Sequence, residues 1–372
     1  MTGKERIEAA LSKDGTPDIP AVVCYEDIFI RDHWQQLCAC PWWYEQSPDL
    51  SHQVQWRREF VSRVGLDWLY LPGFYSAEER EALSIEVRPD GVYRVDGRTG
   101  HAEKLVPPRV GGEHISTYPL HTARTPDEVD AVVPLIMSTG VEEGHGDLAA
   151  EVRKEFGDQL YLIRHASSPL ECCGSGLWGF EEMMLNVATR PDLVEHACRR
   201  FLDCSVEDVR RAAQLGADGI FVEDCLTDMI SPQAFARLNV PFARQLVDEI
   251  RHLGLKSIYY FCGNPAGKWD LLLSIGADAL SLEESKKGFT IDVAGVVDRV
   301  HGRCAVLGNL DAVGVLQNGS EAALRAEIAR QIAAGRRNGS RFIMSIGSPV
   351  TPGTPVERVR LYRDLVHELG RG

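Results

Sequence analysis

Several short apolar runs in this chain end in side chains that can do chemistry. The clearest is Lys256-Ser-Ile-Tyr-Tyr-Phe-Cys262-Gly263-Asn264-Pro265, apolar and aromatic until it stops at a thiol and an amide in a Gly-Asn-Pro turn. It reads as a buried strand that delivers Cys262 and Asn264 to its C-terminal tip. Cys262 there is a metal ligand, a nucleophile or a small core residue. Two other runs end in paired acids, Glu223-Asp224 and Glu283-Glu284. Carboxylates at strand tips bind metals, act as general acid and base, or anchor loops. Neighbours on a strand point to opposite faces, so at most one of each pair meets a common mouth. Glu223 and Glu283 are the expected ones, with Glu223 also a candidate metal ligand beside Cys262. His165 ends another run and is a candidate acid or base, or else a hydrogen-bonded core histidine. Tyr260 could hydrogen-bond a substrate. Tyr25, Asp27, Asn264, Asn309, Asp311 and Ser348 complete the expected substrate-contacting set; Asn309 and Asp311 share a face by the period of two and suit loop anchoring equally.

These residues need a scaffold that gathers strand tips. Eight apolar runs read as strands: residues 19–25, 66–71, 160–165, 219–222, 257–261, 279–282, 304–307 and 342–345. Most alternate with amphipathic helical stretches, including 3–12, 28–63, 178–188, 191–214 and 232–253. Thr125-Pro126-Asp127-Glu128 and Thr354-Pro355-Val356-Glu357 read as capping boxes that open helices. Gly-Ala-Asp occurs at 216–218 and 276–278, each time as a helix exit into a strand. Eight strand–helix steps predict a (β/α)8 TIM barrel, because closure leaves no sheet edge exposed. An open doubly wound sheet would call for a glycine-rich phosphate turn after an early strand, and none is present. Around Pro89-Asp90-Gly91 the pattern alternates with period two, so residues 85–108 read as an inserted β-hairpin after the second strand. The whole of 1–372 is expected to form one domain. In a barrel the chemistry gathers at the C-terminal strand ends, where the residues above fall.

Composition narrows the partners. The net charge of −14 disfavours nucleic acid and anionic membrane, both of which select basic surfaces. No apolar run approaches the roughly 20 residues of a membrane helix. The charged start Met1-Thr-Gly-Lys-Glu-Arg is unlike a signal peptide, and ten cysteines without one suggest the reducing cytoplasm. The close cysteine pairs are Cys38-Ala-Cys40 and Cys172-Cys173, and neither is a metal-type CxxC.

Taken as a series, Gly216-Ala-Asp-Gly-Ile-Phe-Val-Glu-Asp, Ile230-Ser-Pro-Gln-Ala-Phe, Phe261-Cys-Gly-Asn, Gly276-Ala-Asp-Ala-Leu-Ser-Leu-Glu, Leu307-Gly-Asn-Leu-Asp and Gly347-Ser-Pro-Val-Thr-Pro resemble the uroporphyrinogen decarboxylase superfamily. The order holds through residues 160–370, and Lys4-Glu-Arg-Ile with Ala9-Ala-Leu resembles its first helix. The resemblance implies a (β/α)8 barrel and an enzyme, either a decarboxylase or a cobalamin-linked methyltransferase. Decarboxylases of that superfamily carry an Arg-rich motif after the first strand and Gly-His-Gly at the last; here Tyr25-Glu26-Asp27 and Gly347-Ser348-Pro349 stand instead. Its zinc-dependent thiol methyltransferases carry His-x-Cys-Gly at the fifth strand end and a second Cys at the eighth. Here Tyr260-Phe261-Cys262-Gly263 keeps one of those three ligands and Ser348 replaces another, so the usual zinc set is incomplete. The inserted hairpin around Asp90-Gly91 resembles the methyltransferase side, and the resemblance implies a corrinoid-dependent methyltransferase of the O-demethylase type, passing a methyl group from a small methylated substrate to a corrinoid on a partner protein. A decarboxylase of a porphyrinogen or other carboxylated substrate is the alternative, and a non-catalytic barrel that binds a corrinoid or tetrapyrrole is the third.

Overall fold

The computed structural model describes residues 1–112, 120–133, 144–285 and 288–372. Its strands in chain order are β1 (Trp68–Tyr70), β2 (Leu83–Arg88), β3 (Gly91–Asp96), β4 (Ala102–Lys104), β5 (Tyr161–Ser167), β6 (Gly219–Asp224), β7 (Lys256–Phe261), β8 (Ala279–Leu282), β9 (Ala305–Leu307) and β10 (Phe342–Ile343). Seven of them form one curled parallel sheet in the order β1-β5-β6-β7-β8-β9-β10. Parallel neighbours need crossovers, and the helices between these strands supply them. Between β1 and β5 the chain forms a separate antiparallel sheet, β2-β3-β4, with Arg88 opposite Gly91 across the Pro89-Asp90 turn.

Residues 19–25, expected as the first strand, form no regular strand. Pro20 lacks an N–H, and Tyr25 turns left-handed at φ 54°. A single parallel bridge joins Ala21 to Met344. Even so, the segment spans the two ends of the sheet. Val22 N–H donates to Met344 O at 2.9 Å and Met344 N–H to Pro20 O at 2.9 Å, while Asp67 N–H donates to Ala21 O at 3.0 Å. The hydroxyl of Tyr362, on the C-terminal helix Val356–Leu369, reaches the carbonyls of Val22 and Met344 at 3.0 and 2.9 Å.

A repeated device sets the opposite end of the sheet. Gly65, Gly216 and Gly276 each end a helix in the left-handed conformation, which glycine adopts without a Cβ clash. Two residues later an aspartate takes the backbone N–H of the neighbouring strand or seam: Asp67 from Ala21 at 2.7 Å, Asp218 from Leu162 at 2.8 Å, Asp278 from Ser257 at 3.0 Å. The Gly-Ala-Asp exits are thus register pins, and Gly65-Leu66-Asp67 is a third copy. Asp67 is buried and also holds Arg6 at 2.8 Å and His367 at 2.7 Å.

Other boundaries move for local reasons. The stretch 28–63 is not one helix; it divides into Glu26–Leu37, a 3-10 turn Trp42–Gln46 and Leu50–Val64, broken at Pro41 and Pro48. The helix expected over 232–253 breaks at Asn239, whose side chain turns inward to bond Asp224 and Tyr259. Thr125 caps its helix as expected, its Oγ1 accepting from Glu128 N–H. The last helix differs: Pro355 is its N-cap, and Thr354 bonds Thr351. Among the described residues no helix is long and apolar enough to cross a membrane.

Candidate functional site

Strand alternation decides which side chains reach the inner face. The register pairs His165 with Phe221 and Phe221 with Ile258, and in the next inner layer Glu223 with Tyr260 and Tyr260 with Ser281. Rings from these layers pack together. Phe221 stacks on Tyr260 at 5.4 Å, His165 lies 5.2 Å from Phe221, and Tyr70 meets His165 edge-on at 5.6 Å. Tyr25 sets its edge against His165, Phe221 and Tyr260 at 5.9–6.4 Å. These contacts hold a left-handed backbone that costs a bulky residue about 1–3 kcal/mol.

His165 Nδ1 lies 3.0 Å from Glu223 Oε1. A carboxylate oxygen accepts, so Nδ1 is the donor in this bond and Nε2 takes no part in it. Both residues border a cavity of about 460 Å³, within the roughly 300–1,000 Å³ of small-molecule sites. Val132, Val133, Leu177 and Phe201 form its apolar walls; Cys172, Cys204, Ser205 and Asp208 bring polar atoms to it. The described lining contains no Lys or Arg.

Asp224 faces the other way. It is fully buried and accepts from Ser168 Oγ at 2.7 Å, Asn239 Nδ2 at 2.9 Å and the hydroxyl of Tyr259. Burial pushes its carboxyl up to about 6. The inner and outer members of the Glu223-Asp224 pair thus divide as alternation predicts: one meets the cavity, the other ties helix to sheet.

The expected site residues separate into two groups. Glu223, His165, Tyr260, Tyr25 and Cys262 come together on the inner rim, with Glu283 close enough to Tyr260 to raise its hydroxyl after burial and neighbouring thiols have done so. Four of the other five are hydrogen-bonded within the fold. Asp27 is exposed on the first turn of its helix. Asn264 is exposed and accepts from Ala266 N–H at 3.0 Å. Asn309 Nδ2 donates to the carbonyls of Glu283 and Ile291, each at 2.9 Å, so it ties a loop. Asp311 accepts from Val313 and Gly314 N–H at 2.9 and 2.8 Å as the cap of the π-helical turn Ala312–Gln317. Ser348 Oγ donates to Glu284 at 2.7 Å. The physical reason is common to Asn264, Asn309 and Asp311: loops that leave strand tips expose backbone groups, and short polar side chains satisfy them first.

Three groups of site residues escaped the sequence reading. Cys225 follows the inward alternation of Phe221 and Glu223, a signal that was present; its Sγ is 3.7 Å from the Tyr25 hydroxyl. Glu171, on the short helix Pro169–Cys173, accepts from Cys225 N–H at 2.9 Å, and burial pushes its carboxyl up to about 8. Phe201, Cys204, Ser205 and Asp208 reach the cavity from one face of the helix Pro191–Leu215, at the i, i+3, i+4, i+7 spacing.

Among the described residues no group of three or more His, Cys, Asp and Glu side chains stands together as a metal site would need. Met229 and Val313, on the segments that follow β6 and β9, are 69% and 48% exposed.

Known proteins place the chain. The structure of a methyltransferase from Methanosarcina mazei shares the fold, with a TM-score of 0.69 over 99% of both chains at 17% identity. Uroporphyrinogen decarboxylase 2, chloroplastic, of Arabidopsis thaliana is 23% identical over 317 residues, 80% of this chain and 77% of that protein. The chloroplastic uroporphyrinogen decarboxylase of Zea mays is 26% identical over 302 residues, 77% and 74% of the two chains. Residues 113–369 match the profile described as Uroporphyrinogen decarboxylase (URO-D), and the chain belongs to that family.

Proposed function

We propose that this member of the family is a methyltransferase acting on a small methylated compound, with a corrinoid on a separate protein as acceptor. The observation that carries the reading is the cavity beside the His165–Glu223 pair: it presents carboxylates, thiols and apolar walls, and its described lining has no Lys or Arg. A tetrapyrrole with many carboxylates calls for charge-assisted partners such as arginine. A small methoxylated substrate calls for a proton at its leaving oxygen and dry walls around its carbon. In this reading Glu223 holds the His165 ring by Nδ1, so that a protonated Nε2 meets the leaving oxygen. Tyr25, Phe221 and Tyr260 exclude water from one side, and Phe201 with Leu177 from another. The corrinoid, when docked over the Met229 and Val313 rim, supplies the methyl-accepting metal. We read the sheet as a (β/α)8 barrel whose eighth place is taken by residues 20–22.

The test is incubation of the protein with a corrinoid protein and a panel of methylated donors. Loss of methyl from one donor, with a matching change in corrinoid absorbance, is expected. No transfer from any donor would remove the proposal. A second reading, decarboxylation, is favoured by the names of the relatives; turnover of a porphyrinogen under anaerobic conditions would establish it.

A further inference from the structure

We propose that Cys225 and Cys262 form a reversible disulfide across the tips of β6 and β7, which makes this rim a site of oxidative modification. The inference rests on strand geometry and is independent of the methyl-transfer reading. The last paired residues of the two strands are Asp224 and Phe261. Cys262 N–H donates to Asp224 O at 3.1 Å, so the ladder continues one step past them. That step sets Cys225 opposite Cys262, about one interstrand distance apart, roughly 4.8 Å. The spacing lies within the roughly 4.4–6.8 Å between Cα atoms that disulfides span.

Alternation sends both side chains to the inner face, in line with Phe221 and Glu223 on one strand and Ile258 and Tyr260 on the other. The sulfurs are close neighbours: the Cys262 thiol is the largest influence that raises Cys225, ahead of burial. Both residues are half-buried, within reach of a small oxidant. The backbone around them is fixed, since Glu171 holds Cys225 N–H at 2.9 Å and Asp228 holds Asn264 N–H at 3.3 Å. Closure therefore requires side-chain rotation and little else.

The other thiol neighbours differ in access or in fixation. Cys173 and Cys198 are 3.7 Å apart, but both are wholly buried. Cys38 and Cys40 are buried, and Cys40 is bonded to Glu59. Cys172 and Cys204 share the cavity wall from two different helices, without a strand ladder to set their spacing.

With hydrogen peroxide as oxidant, one thiol becomes a sulfenic acid and releases a water. The second sulfur attacks it, the S–S bond forms and a second water leaves. Two thiols lose two electrons and two protons, and the peroxide takes both. The bond would convert the two thiols of the inner rim, beside Glu223 and the Tyr25 hydroxyl, into one disulfide.

The experiment treats the 372-residue protein with peroxide, alkylates the remaining thiols and maps the peptides by mass. The expected result is a linked pair containing Cys225 and Cys262, lighter by two hydrogens and released by dithiothreitol. Cys225→Ser and Cys262→Ser each abolish it and leave the partner open to alkylation. If either variant fails to fold, alkylation of the unaltered protein before and after oxidation decides the matter, with protection appearing at these two positions alone. A link between Cys172 and Cys204 in its place, or sulfinic acid at Cys225 or Cys262 with no link, overturns the proposal.

Discussion

Glu26→Gln would make the protein more stable in alkali and leave it nearly unchanged in acid. Glu26 is 5% exposed, directly after Tyr25. Its Oε1 accepts from Tyr70 N–H at 3.3 Å, and its buried Oε2 has no hydrogen-bond partner among the described residues. Burial pushes its carboxyl up to about 8 from 4.5, opposed by the Tyr70 N–H and by Arg57. Below 4.5 both folded and unfolded chains hold the proton, and the group adds no pH dependence. Between 4.5 and about 8 the unfolded chain releases it and the folded chain keeps it, so stability falls as pH rises. The full displacement corresponds to about 5 kcal/mol, at about 1.4 kcal/mol per pH unit. Glutamine reproduces the protonated acid: its oxygen can keep the Tyr70 bond, and its NH2 takes the place of the partnerless Oε2.

Urea denaturation of both proteins at about pH 5, 7 and 9 measures the difference. The curves should diverge with rising pH, the variant gaining on the wild type by several kcal/mol. Parallel curves would refute the reasoning. So would a uniform loss of about 3–5 kcal/mol, since that is the effect of breaking a buried ion pair and would mean that Glu26 is ionised against Arg57.

Asp67→Ala removes the acceptor shared by Arg6, His367 and Ala21 N–H, and should cost about 3–5 kcal/mol with faster amide exchange at Ala21; a cost under about 1 kcal/mol in the same denaturation experiment would remove Asp67 from the seam. Glu223→Gln frees the His165 ring from its fixed tautomer, so turnover of the methyl donor should fall about 10²–10⁴-fold while the fold persists; unchanged turnover would show that the pair is not the proton source. Asp311→Ala should lower stability by about 1 kcal/mol through a lost helix cap and leave KM unaltered, as kinetics and thermal denaturation together would report.

Much of the parallel sheet was legible because buried strands are short apolar runs closed by turn residues, and β5 to β9 each carry that mark. Glu223 and Tyr260 were legible for the same reason: alternation orients side chains without knowledge of what they face. Cys225 obeyed the rule and was still missed, because the acidic pair before it drew the chemistry to itself. Residues 19–25 looked like a strand, since apolarity shows burial but not pairing, and Pro20 with the turn at Tyr25 reduces the ladder to one bridge. Asn264, Asn309 and Asp311 sat where ligand groups belong, but the same short polar side chains that bind ligands also satisfy loop backbone.

The amino-acid order by itself determined the alternation of strands and helices, the helix exits at Gly216 and Gly276, and the inward set on each strand, because these depend on residues a few positions apart. Tertiary structure alone decided that Glu223 meets His165, that Asp224 is taken up by Tyr259, Asn239 and Ser168, and that Cys225 lies opposite Cys262. It also decided that helix Pro191–Leu215 walls the cavity. Those contacts join residues tens of positions apart, and their partners are fixed by the curl of the sheet and the packing of helices upon it, which no local pattern encodes.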